Sequence, residues 1–149
     1  MKKIRLALLI ALGLVTSAGF AQENRSQLTN QAVVTTFLAG FNDFDRVGES
    51  LALLDDDYHF TDPTATANSK AEFIELAKTL AQVLTGVEVV KIAESGDWVS
   101  VNYIFKSAIP GLEENQANEW FRVENGKIQE SHLLFDATEW HKVFAEAGH

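Results

Sequence analysis

The sequence predicts an α+β domain in which a curved antiparallel sheet wraps around a long first helix. Three observations lead there. Apolar residues recur at helical spacing early in the chain. Alternating runs bounded by turn residues dominate its second half. Helices precede the strands instead of alternating with them, which argues against a parallel α/β sheet.

Each element has a local reason. From Asn24 to Phe44, Val33, Phe37, Phe41 and Phe44 recur at steps of four, four and three, with Val34 and Leu38 beside them, the stripe of a helix packed on a core. Glu49 to Leu54 reads as a second, short helix, and Asp55, Asp56 and Asp57 as an acidic turn. Tyr58 to Asp62 is a short strand that Pro63, lacking an amide donor, brings to an end. After a polar loop, Ser69 caps a third helix and Glu72 completes its capping box. That helix buries Phe73, Ile74, Ala77, Leu80, Ala81 and Leu84 and stops at Gly86. Val87 to Ala93 and Trp98 to Ser107 flank a Ser95-Gly96-Asp97 turn. Pro110-Gly111 opens an acidic loop. Gln116 to Glu124 and Lys127 to Phe135 flank Asn125-Gly126, the strongest two-residue hairpin signal. Ala137 to Ala147 closes the chain as a helix.

Residues 1–21 read as a signal peptide and 22–149 as the folded domain. Lys2, Lys3 and Arg5 precede an apolar run from Leu6 to Val15 that has the length of a signal core and is too short to span a bilayer. Gly19 and Ala21 suit cleavage after Ala21, so the domain is expected to be exported, periplasmic or secreted. The chain has no cysteine, which excludes both a lipid anchor at the cut and disulfides. The whole chain carries 12 basic and 21 acidic residues; losing the three basic ones of the leader leaves nine against 21, a net charge of −12. Such a surface repels phosphate backbones and anionic lipid heads, so neither nucleic acid nor a membrane surface is an expected partner. There is no phosphate-binding loop, dinucleotide fingerprint, nucleophile elbow or metal-ligand spacing, and no cofactor or metal is expected.

Four residues are candidates for acid–base chemistry. Asp62 sits where a strand ends and the chain leaves the sheet, as either a turn residue or a catalytic base. A two-residue turn at Asn125-Gly126 pairs Glu124 with Lys127 and, continued along the ladder, sets Val123 against Ile128, Phe121 against Glu130 and Glu119 against His132. A carboxylate beside an imidazole could form a proton-transfer pair if that face lines a cavity, or an ordinary ion pair if it faces water; a bulge would remove the pairing. Asp136 begins the last helix, as its cap or as a catalytic group. Phe41, Phe60, Tyr103, Phe105 and Phe121 are candidates to line an apolar pocket between helix and sheet.

FLAGFNDFD, ESLALLDDDYHFTDP, SKAEFIEL and NEWFRVENGKIQESHLLFD, in that order, resemble the SnoaL-like branch of the nuclear transport factor 2-like superfamily from Thr35 to about Gly148. The resemblance implies a cone-shaped α+β barrel with a pocket at its open end, in a superfamily of isomerases, polyketide cyclases, dehydratases, epoxide hydrolases and non-catalytic proteins. In ketosteroid isomerase, an aspartate base works with an oxyanion hole of a tyrosine and a protonated aspartate. Asp62 falls on the base, in the same Asp-Pro context, and Glu119 near the protonated acid. Phe37 falls where the tyrosine should be; loss of one such donor costs about two to three orders of magnitude in other enzymes, which argues against steroid isomerisation. Asp136 lies near the late aspartate that polyketide cyclases of the family use.

The expected function is an exported domain binding a small apolar molecule, with Asp62 as base and Glu119 or His132 as donor in isomerisation, cyclisation, dehydration or hydrolysis. The competing expectations are a non-catalytic ligand-binding module and a domain that forms a homodimer through its outer sheet face.

Overall fold

The computed structural model describes residues 28–146. The expected leader, residues 1–21, lies outside them. The elements are α1 (Asn30–Ala39), α2 (Val47–Leu51), β1 (Leu54–Thr61), β2 (Thr66–Ala67), α3 (Lys70–Leu80), β3 (Leu84–Ser95), β4 (Trp98–Ser107), β5 (Glu114–Glu124), β6 (Lys127–Phe135) and α4 (Thr138–Glu146). One six-stranded sheet, in the order β2-β1-β6-β5-β4-β3, curves over α1 and α3. Among the described residues no helix is long and apolar enough to cross a membrane.

The α+β architecture is as expected, with differences in detail. The first helix ends at Ala39 and continues as two short 3₁₀ turns, Gly40–Asn42 and Phe44–Arg46. The third helix stops at Leu80, and β3 begins at Leu84, three residues before the expected strand. The acidic run Asp55–Asp57 lies inside β1 and is not a turn between elements. The sheet is antiparallel except for β1 and β6, which run parallel, because β1 enters the sheet beside the last strand and not beside a neighbour in sequence.

Bulges supply the curvature. On β3, Thr85 and Val90 have no partners on β4, because the register steps between Leu84 and Gly86 and again between Val89 and Lys91. On β6, Gln129 is extra between Val123↔Ile128 and Arg122↔Glu130. An extra residue bends its strand and increases local twist. Against the same Gln129, β1 places Asp55 to Tyr58 between the pairs Leu54↔Ile128 and His59↔Glu130. The three aspartates therefore occupy an outward loop of the strand, tied by Asp57 N–H to Asp55 Oδ1 at 3.1 Å and by Gln129 Nε2 to Asp55 Oδ2 at 3.3 Å.

The concave face carries the core. Val33, Val34, Phe37 and Leu38 of α1 meet Val99, Val101, Phe121 and Val123 of the sheet. Phe73 of α3 packs edge-on against Tyr58 at 5.2 Å and Phe60 at 5.1 Å. Ser69 accepts from the Glu72 amide at 3.2 Å, and Glu72 accepts from the Asn68 amide at 2.8 Å, so both ends of the expected capping box find backbone donors. The Asn42 side chain acts as a short strand on the edge of β3. It donates to Val87 C=O at 2.8 Å and accepts from Val87 N–H at 2.6 Å, satisfying an edge that would otherwise stay unpaired.

Gly40 lets α1 approach α2. A Cβ there would lie 1.9 Å from Ser50 Oγ and 2.5 Å from Ser50 Cβ, and Ser50 is buried with its hydroxyl donating to Thr36 C=O at 3.1 Å. Gly40→Ala is therefore expected to destabilise the fold by about 1–3 kcal/mol, the usual cost of overpacking. Urea denaturation checks this, the midpoint falling at constant slope; an unmoved midpoint would mean that the two helices do not need this approach.

Candidate functional site

A cavity opens between the concave sheet face and the helices. It is walled by Phe37, Leu38 and Phe41 from α1 and the turn that follows it, Phe73 and Leu80 from α3, and Trp140 and Phe144 from α4. Phe60, Tyr103, Phe105, Leu133 and Phe135 line it from the sheet, and its free volume is about 90 Å³. Four polar groups break this apolar surface: the side chains of Asp62, Thr64 and Glu119 and the Tyr103 hydroxyl. Trp140 is held across the cavity by its indole N–H, which donates to Asn115 Oδ1 at 2.9 Å, and by Phe105 at 5.8 Å.

Glu119 is the most unusual of these. It points inward from β5 and is 4 % exposed. Its Oε2 accepts from the Tyr103 hydroxyl at 2.7 Å and its Oε1 from the Ser131 hydroxyl at 2.6 Å. Ser131 Oγ in turn lies 2.6 Å from the Tyr58 hydroxyl. Burial pushes the carboxyl up to about 7; the two hydroxyl donors oppose that shift and the charge of Asp62 adds to it. Burial also raises both tyrosines well above the usual phenol range, with the Glu119 charge adding to each shift.

Asp62 forms the local turn considered from the sequence and also faces the cavity. Its Oδ1 accepts from Thr64 N–H at 2.6 Å, Ala65 N–H at 2.6 Å and Thr64 Oγ1 at 2.8 Å, which is the local turn of a strand-end aspartate. The residue also lines the cavity, and among the described residues its second oxygen takes no hydrogen bond.

Two other acid–base candidates lie elsewhere. The first two rungs of the hairpin follow the expected register, with Asn125 and Gly126 both at positive φ. The bulge at Gln129 then shifts every later pair, so Glu119 faces Leu133 and His132 faces Trp120. The face of β6 inverts with it: Ser131 turns inward and His132 outward. There His132 Nδ1 lies 2.8 Å from Thr61 Oγ1, and its ring stacks on Trp98 at 6.3 Å. Phe121 faces Ser131, not Glu130. Asp136 is exposed and accepts from the Thr138 amide at 3.0 Å, the capping alternative; the Thr138 hydroxyl, with that amide, holds its carboxyl below the usual range. Phe41, Phe60, Tyr103 and Phe105 line the cavity as expected. Phe121 does not: it is fully buried against Phe37 at 5.9 Å, inside the core. Ser131 and Tyr58 were not among the sequence candidates, since only the bulge brings Ser131 inward. Phe37 carries no donor, but Tyr103 presents a phenol to the same cavity from another strand.

The raised Glu119 has a consequence for stability. From its ordinary 4.5 to about 7, the folded chain keeps a proton that the unfolded chain has released. This group's contribution is therefore fully present below 4.5 and is lost as pH rises through 7, a difference of about 3 kcal/mol. Glu119→Gln should remove that dependence. Urea denaturation of both proteins across this range should show the variant gaining on its parent as pH rises; a constant difference would mean that Glu119 titrates alike in both states.

The SnoaL-like domain profile matches residues 34–131. A comparison with curated proteins finds no match. Among solved structures, an NTF2-like protein of unknown function from Cytophaga hutchinsonii superposes with a TM-score of 0.67 at 18 % identity, covering 78 % of this chain and 98 % of that one. IdmH of Streptomyces antibioticus, described as a candidate polyketide cyclase, gives 0.63 at 15 % identity, covering 79 % and 99 %. A Catenulispora acidiphila protein with a ketosteroid isomerase-like fold, in complex with trimethylamine, gives 0.61 at 16 % identity, covering 70 % and 85 %. These likenesses establish a shared architecture, and the profile match over most of the folded region establishes the family: the chain belongs to the SnoaL-like domain family, within the NTF2-like fold.

Proposed function

We propose that this domain is a cofactor-free acid–base catalyst acting on a small, largely apolar carbonyl compound. One observation carries the reading: two carboxyl groups, Asp62 just past the end of β1 and Glu119 on β5, line the same apolar cavity in different hydrogen-bonding environments. Asp62, oriented through Oδ1, uses its second oxygen to take a proton from the carbon next to the carbonyl. The electron pair left behind moves onto the carbonyl oxygen, where the Tyr103–Glu119 pair supplies the hydrogen bond that stabilises it. Returning the proton to another carbon completes an isomerisation. Attack of the carbanion on an internal carbonyl completes a cyclisation. The same two groups, acting on water or a hydroxyl, would serve hydrolysis or dehydration.

Export is part of this proposal, resting on the basic and apolar start of residues 1–21. The acidic surface argues for a small molecule over nucleic acid or membrane as partner. Trp120 and Leu134, exposed on the outer sheet face, are where two copies would pair. A non-catalytic binding domain is the second reading, and Phe37 favours it, since the ring it presents to the cavity carries no hydrogen-bond donor.

Proton exchange separates the two readings. In D₂O, the wild-type protein should accelerate loss of the α-hydrogens of cyclopentanone, followed by NMR. Asp62→Asn should cut that acceleration by about 10²–10⁴-fold. Exchange no faster than in buffer would leave the binding reading alone standing.

A further inference from the structure

Four oxygen-bearing side chains form one line through the cup: Tyr58, Ser131, Glu119 and Tyr103. Three contacts join them, at 2.6, 2.6 and 2.7 Å. With Glu119 ionised, three hydrogens fill three contacts. Tyr58 donates to Ser131, while Ser131 and Tyr103 donate to the two carboxylate oxygens. Protonating Glu119 adds a fourth hydrogen without adding a contact, so one hydrogen must turn out of the line.

It can leave at either end. A proton on Oε1 is donated to Ser131, pushes the Ser131 hydrogen towards Tyr58 and forces the Tyr58 hydrogen out. A proton on Oε2 is donated to Tyr103 and turns the Tyr103 hydrogen out. The ends differ in surroundings. Tyr58 is fully buried against Phe73, and among the described residues its hydroxyl has no partner but Ser131. Tyr103 lines the cavity. A buried hydroxyl hydrogen with no acceptor is costly, whereas one that faces a ligand can be satisfied.

We propose that Tyr58 and Ser131 are positioning residues that keep the proton of neutral Glu119 off Oε1 and place it on Oε2, turning the Tyr103 hydroxyl hydrogen into the cavity, where it selects ligands with an uncharged acceptor such as a ketone or ester carbonyl. When Glu119 ionises, Tyr103 donates to it again and the cavity loses that donor. The proposal deepens the acid–base reading of the site and rests on it. The titratable groups around Glu119 are Asp62 at the end of β1, Tyr58 on β1 and Tyr103 on β4; α1, α3, α4, β3 and β6 present apolar side chains to the cavity. The charge of Asp62 opposes ionisation of Glu119. The donor is therefore available below the Glu119 midpoint, about 7, and withdrawn above it.

The test uses cyclopentanone carrying ¹³C at its carbonyl, with infrared spectroscopy of the bound ketone and carboxyl ¹³C NMR of Glu119. At roughly pH 5 the bound carbonyl stretch should move to lower frequency, and at roughly pH 9 that shift should vanish, with at least about tenfold weaker binding. Ser131→Ala removes a donor from the ionised carboxylate, so the Glu119 midpoint should rise by about one unit and the ketone shift should persist to correspondingly higher pH. Tyr58→Phe, which keeps the ring and removes only the oxygen, should move the midpoint in the same direction by less; it carries the test if Ser131→Ala does not fold. Tyr103→Phe should still bind the ketone through the apolar walls, with no shift at any pH. A Glu119 midpoint unmoved in the variants, or a ketone shift equal on both sides of the titration, would overturn the proposal while leaving the acid–base reading in place. Wild-type protein that binds no ketone at any pH would overturn that reading, and the proposal with it.

Discussion

Gln129 stands opposite no residue of β5, and its insertion inverts the alternation of β6 between Ile128 and Ser131. Ile128 points into the core before the bulge and Ser131 does so after it; in an unbroken strand those inward places would go to Ile128, Glu130 and His132. The inversion puts a small hydroxyl against Glu119 where an imidazole would otherwise stand. It also sends Glu130 outward, where Arg122 meets it at 2.6 Å. Without the extra residue, Glu119, Glu130 and His132 would share the interior, with two carboxyl groups and one ring to be satisfied. With it, a single carboxyl remains on that stretch of the wall, paired with hydroxyls. Gln129 also fits the outward loop of β1, through its contact with Asp55, so one position adjusts the ladders on both sides of β6.

The protonation balance at Glu119 follows from this arrangement. Burial among aromatic rings favours the neutral acid, and two donors favour the carboxylate. Burial outweighs the donors, and the carboxyl rises to about 7, where a group can both give and take a proton under ordinary conditions. A third donor would have fixed it as a carboxylate; an apolar residue at position 131 would have pushed it further towards the acid. Asp62 contributes at a distance, by placing a negative charge in the same cavity.

What was legible in the sequence was local. The Ser69 cap needs only residues within one helical turn, and the Asn125-Gly126 turn needs only its own two positive φ values. The strict alternation of β4 placed Tyr103 and Phe105 on the inner face without reference to other strands. The errors came where pairing decides. A bulge on β6 requires no special residue, and nothing about Gln129 announces one. The three aspartates have the composition of a turn and do form an Asx contact, yet β1 continues through them because Leu54 on one side and His59 on the other both pair with β6. The parallel pairing of β1 with β6 joins residues more than seventy apart. Phe121 alternates correctly but sits deeper than its neighbours, under Phe37, so facing inward and lining the cavity proved to be separate properties.

The two cavity carboxyls thus depend on the fold in different ways. Asp62 is oriented by Thr64 and Ala65, two and three residues away, and would keep its geometry through small changes in strand register. Glu119 is oriented by Tyr103 across one strand pair and Ser131 across another, so its environment exists only when β4, β5 and β6 are in register together. In the proposed reaction, a base built from a local turn and a donor built from sheet register are separable parts. On one scaffold the first can stay fixed while changes to the second, such as a serine, a histidine or an apolar residue at the bulge, alter which acceptor the cavity favours. Within this chain, the Tyr58–Ser131 arm is the part through which such a change would act.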